Sequence, residues 1–296
     1  MVVLDACMPA IDVWTFIGLA SVMTLALISF MFMIGRLLVK SEFEAMAKKE
    51  LSQLFVALII AISIIGLATA SCGATQALVQ DTIGEGNQFT ASTQYLTTLI
   101  YKKGIPTIQN LWVSGFILDM LSSLEINSGL PMAGSSLKFS PGKALVPFSK
   151  IVNFFAGFFN VFIGSLHAQL ILIQLSEAFA MTIMLPLGMV LRTIPGIRKG
   201  GSFLMALAFG LYIVFPMTYV MYYAIYNTID PNFSGLVQSE LKPLETFKMS
   251  SQIIDVLKYF DEMAVLIPQA TLLALINFTI TVSFVEIFTN FLDSIE

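Results

Sequence analysis

Glu177 stands inside the run LILIQLSEAFAMTIML, an apolar setting for a carboxylate. A charged side chain at the depth of a hydrocarbon core costs several kcal/mol unless it faces water or a partner. Gln169, Gln174 and Ser176 lie within three helical turns of it, and the spacing brings Gln169, Gln174 and Glu177 toward one face. That face reads in two ways. It lines an aqueous path for a proton or an ion, or it hydrogen-bonds to neighbouring helices, where polar side chains act as glue. Glu286, in ITVSFVEIFTNFL, lies nearer an interface and can reach it by snorkelling.

A second group is cationic. Arg192, Arg198 and Lys199 crowd the Pro-Gly turn of VLRTIPGIRKGGSFLMALAFGLYIVFP, and an apolar run follows at once. Cations so placed anchor topology. Cys7 and Cys72 are the two cysteines, and both fall beside the ends of apolar segments expected on one side. They form either a disulfide tying the N-terminal arm to the first hairpin or two buried thiols. His167 is the single histidine, which makes neither a zinc site nor a triad and reads as a hydrogen-bonded structural residue. The chain has no phosphate-binding glycine loop, nucleophile elbow or metal-ligand cluster, so no catalytic residue, metal or cofactor is expected.

What must position these residues follows from composition. The chain is 57% hydrophobic and 11% charged with a mean hydropathy of +0.85, against about 25% charged residues in soluble domains. Continuous apolar runs long enough to cross a core about 30 Å thick predict an all-α polytopic membrane protein and exclude a β-barrel. Five spans are expected, near residues 13–38, 53–79, 150–193, 201–227 and 266–291, with amphipathic helices in the segments 80–146 and 228–262.

Arg36, Lys40, Lys48 and Lys49 in the first hairpin join Arg192, Arg198 and Lys199 to make seven of the fifteen basic residues in two short loops. Excess Lys and Arg in short loops marks the cytoplasmic side of a cell membrane. The N-terminus, with Asp5 and Asp12 and no cation, is then expected outside, together with 80–146 and 228–262. Parity requires an odd number of crossings between the second span and the basic turn. One long or bent helix over 150–193 satisfies it; three crossings, for seven spans, is the alternative. Pro186 and Pro216 are expected to kink their helices, and Gly188, Gly200, Gly201 and Gly210 to allow close packing.

The series Gly188, Arg192, Pro195, Arg198, Gly200, Gly201, Leu204, Ala206, Gly210, Tyr212 and Pro216 resembles the CedA membrane subunit of archaeal DNA-import systems. That family is similar to the polytopic VirB/TrbL channel components of type IV secretion and conjugation. The resemblance rests on 186–220 and is diffuse elsewhere. It implies a channel or scaffold subunit of a machine that moves DNA across the cell membrane, with no enzyme activity of its own. Its implied partners are a HerA/VirB-type ATPase, small two-span pilin-like proteins, single-stranded DNA as cargo and further copies of itself. Arg192, Arg198 and Lys199 would then present cations to phosphate or to an acidic ATPase surface. Two other readings stay open: a solute or ion channel or carrier, and an assembly subunit without a conduit.

Overall fold

A computed structural model describes residues 11–38, 41–83, 86–123, 126–127, 138–139, 141–194, 196–229, 259–260 and 263–294. Among the described residues, five helices are long and apolar enough to cross a membrane: Val13–Leu37, Ala45–Val79, Gly142–Arg192, Arg198–Thr228 and Met263–Ser294. The chain is an all-α multi-pass membrane protein. The middle segment is a single unbroken helical run, as the missing turn signal between Lys150 and Pro186 predicts.

In chain order, α1 is Ile11–Leu37 and α2 is Ser41–Ile83. Next come α3, Gln88–Thr97, a π-helical segment Thr98–Gly104, and α4, Ile105–Ser123. A two-residue antiparallel pair, β1 Ile126–Asn127 with β2 Lys138–Phe139, precedes a 3-10 turn, Pro141–Leu145. Then α5, Val146–Phe179, passes through a π segment, Ala180–Met184, into α6, Leu185–Arg192. The fourth span has the same plan: α7 Arg198–Phe209, a π segment Gly210–Val214, and α8 Phe215–Ile229. The last helix is α9, Leu272–Ser294.

Each π segment ends two residues before a proline: Pro106, Pro186 and Pro216. Proline has no N–H to donate, and its ring clashes with the carbonyl four residues back. Widening the preceding turn moves that carbonyl away. These are π-bulges with a local cause.

Two compact units make up the chain. One comprises Met1–Tyr95, Leu170–Ser234 and Leu275–Glu296; the other comprises Leu96–Gln169 and Gly235–Ala274. The first has a core of Ile17, Ile64, Ile65, Leu185, Met189, Met205, Phe209 and Val285. Its tightest joint is between α6 and α7. A Cβ on Gly201 would lie 2.7 Å from the Gly188 carbonyl oxygen and closer still to the Arg192 backbone, and a Cβ on Gly188 would meet Met205 at 2.7 Å. Gly210 has the same relation to Val285 on α9, at 2.7 Å. Gly196, in the turn between α6 and α7, has φ +101° and needs glycine for its backbone.

In the second unit, Gly104 sits against Ile163, and Gly115 against Asn153. Asp119 accepts hydrogen bonds there from Ser149 and Asn153. Phe155 and Phe159 pack on Phe260.

Candidate functional site

Polar side chains gather in the first unit where α3 begins. Asn87 caps that helix: its Oδ1 accepts from the Thr90 N–H at 2.8 Å and from the Thr90 hydroxyl at 2.9 Å. The Asn87 side chain also lies near the Glu177 carboxylate. One residue on, the buried Gln88 donates from Nε2 to the Tyr212 carbonyl at 2.8 Å, while its Oε1 accepts from the Ser71 hydroxyl at 2.5 Å. Phe89 sets its ring edge-on to Tyr212 at 4.9 Å, and Tyr95 meets Tyr223 at 5.8 Å.

Helix α3 therefore runs alongside the fourth span in the same direction, Gln88 by Tyr212 and Tyr95 by Tyr223. Tyr212 follows Arg198 by fourteen residues and Glu177 precedes Arg192 by fifteen, each about 21–23 Å of helix from the basic turn. That is short of the roughly 30 Å of a hydrocarbon core. The segment expected on the outer side thus begins partway along the fourth span, and α3 continues without a break through the π segment into α4. Its positive end, capped by Asn87, has the Glu177 carboxylate nearby.

The intramembrane polar residues separate into two environments. Gln169 is buried in the second unit, where Nε2 donates to the Ala270 carbonyl at 3.1 Å. Gln174, Glu177 and Glu286 are exposed. Gln169 is thus buried while Gln174 and Glu177 are exposed, so the three do not share one environment. His167 has Nδ1 3.1 Å from the Ile163 carbonyl and its ring edge-on to Tyr101 at 5.7 Å, the structural role expected of it.

At the basic turn the three cations have different surroundings. Arg192 is 0% exposed and donates from Nη2 to the Leu292 carbonyl at 3.0 Å. Arg198 donates from Nε to the Arg192 carbonyl at 3.2 Å and pairs through Nη2 with Glu50 at 2.5 Å, where the carboxylate is 2% exposed. Lys199 is exposed. The implied picture of three cations presented together is thus not realised: Arg192 joins α6 to α9, and Arg198 joins α7 to α2. Gly200 faces open space, unlike Gly188 and Gly201, because it lies on the side of α7 away from α6. Pro195 and Cys7 lie outside the described residues; Cys72 is buried and disulfide-bonded.

Among the described residues no three His, Cys, Asp or Glu side chains could hold a metal ion. Sequence reasoning missed Asn87, Gln88, Ser71 and Glu50. The signal available was Pro216: a proline in a span orphans the carbonyl four residues back and calls for a polar donor elsewhere. No protein-family model, no curated protein and no solved structure matches the chain.

Proposed function

We propose that this chain is the polytopic channel or scaffold subunit of a multi-protein DNA-transfer machine in the cell membrane, similar to the CedA and VirB/TrbL subunits. The observation that carries the multi-chain part is Glu177. Its carboxylate is exposed on a span at membrane depth, a position too costly to leave in lipid. A neighbouring subunit covers that face, beside Asn87 at the start of α3. The DNA-transfer part is supported by the Gly188–Pro216 series, whose glycines set the α6–α7 joint and the α7–α9 approach. An acid facing the cargo would repel phosphate, so in this reading Glu177 faces a helix partner.

In this reading the N-terminus lies outside and the basic turn inside. Lys48, Lys49 and Lys199, all exposed, are the cations offered to a HerA/VirB-type ATPase. Small two-span pilin-like proteins and further copies of the chain complete the path for single-stranded DNA. One observation favours a second reading, a solute or ion channel: an exposed carboxylate near a capped helix start also suits a small-ion site.

Purification from native membranes in mild detergent, followed by identification of co-purifying chains, separates the two. Recovery of a HerA-type ATPase with small two-span proteins is the expected result. A homo-oligomer without partners would overturn the DNA-transfer reading in favour of the channel.

A further inference from the structure

Between the start of α2 and the turn before α7 lies a cleft of about 550 Å³, lined by Ala45, Met46, Lys49, Glu50, Gly196, Arg198 and Lys199. Four features of it converge. It holds three cations against one carboxylate, and Arg198 already claims one oxygen of that carboxylate. It holds the start of the twelve-residue α7, whose N-cap position, Ile197, makes no side-chain cap, leaving the first N–H groups without one. The second oxygen of Glu50, Oε2, is buried without a hydrogen-bond donor among the described residues. Finally, the apolar Met46 and Ile197 are exposed around it, at the end of two membrane-spanning helices.

The geometry points to a binding site for an anionic phospholipid with a hydroxyl-bearing headgroup. The phosphate takes the Lys49 and Lys199 ammonium groups and the α7 N-terminus, a headgroup hydroxyl donates to Glu50 Oε2, and the acyl chains run along Met46 and the exposed faces of the spans. A basic pocket at the end of paired membrane helices suits this chemistry. Lys49 and Lys199 are exposed and stand outside the Glu50–Arg198 pair, so removing both leaves that joint in place. The proposal requires only a membrane, and it takes Lys49 and Lys199, two of the cations that the DNA-transfer reading offers to an ATPase.

The test uses the delipidated full-length protein in detergent, with native mass spectrometry during titration by phosphatidylglycerol, phosphatidylcholine, soluble glycerol phosphate and an acidic peptide. Wild type retains phosphatidylglycerol in preference to phosphatidylcholine, and K49Q/K199Q weakens that binding by roughly tenfold or more, the scale for two cations at an anionic headgroup. A control double variant, K143Q/K150Q, leaves it unchanged. Glycerol phosphate competing at the same concentration as the lipid would support the phosphate chemistry and assign the source as a free phosphate ester. Equal retention of both lipids, or unchanged binding in K49Q/K199Q, would overturn the proposal. So would binding of the acidic peptide alone, which makes the cleft a protein dock.

Discussion

Gln88 donates to the carbonyl oxygen of Tyr212 at 2.8 Å, and Tyr212 is the residue four before Pro216. The proline leaves that carbonyl without its intrahelical donor, and the side chain of another helix supplies one. This single bond fixes where α3 enters the bundle and so where Asn87 meets Glu177. Gln88→Leu is expected to cost about 1–3 kcal/mol, the penalty of a buried unpaired carbonyl. Pro216→Ala restores the backbone donor, so the cost of Gln88→Leu falls in that background. A double-mutant cycle of thermal unfolding in detergent checks it; strictly additive losses would contradict the coupling.

Glycines of the Gly188–Pro216 series are predicted to differ sharply. Gly201→Ala places a methyl against the Gly188 carbonyl and the Arg192 backbone, where neither can yield, and folded protein is lost. Gly200→Ala meets nothing within 4 Å and gains up to about 1 kcal/mol of helix propensity. The yield of monodisperse protein by size-exclusion chromatography reads both.

The Glu50–Arg198 pair predicts a stability coupling across 148 residues of sequence. Removing one partner leaves a buried charge and costs roughly 3–5 kcal/mol. Glu50→Ala is therefore more harmful alone than together with Arg198→Ala. Scanning fluorimetry of the two single variants and the double variant measures the difference.

Arg192→Ala lowers folded yield whatever the protein transports, because the guanidinium is fully buried and bonded to the Leu292 carbonyl. Lys199→Ala, on the surface, leaves folding unchanged. A transport assay that reads Arg192 variants without a yield control would mistake a structural loss for a functional one.

Much of this architecture can be read from residue order, and the reasons are local. Continuous apolar runs have one solution in a bilayer, so the five spans and the undivided middle segment follow from hydropathy. Gln88, Ser92 and Thr98 mislead the same reasoning: they are buried, but a polar residue satisfied inside looks like one facing water. Arg192 and Arg198 share a basic turn and identical chemistry, yet one is buried by the α6–α7 joint and the other is drawn to Glu50. Both fates depend on contacts a hundred or more residues away, beyond the reach of spacing. Glu177 was recognisable as the costly residue, because a carboxylate among apolar side chains is conspicuous. Its neighbour Asn87 was not, because a turn asparagine ordinarily caps a helix and nothing more.

The central claim is that the face carrying Glu177 is covered by another protein chain. A photo-crosslinking amino acid at position 177, irradiated in native membranes and resolved by mass spectrometry, tests it most directly. The account predicts adducts to a polypeptide, a second copy or a companion subunit, with a matching adduct at position 174. Adducts to lipid alone at both positions would contradict it.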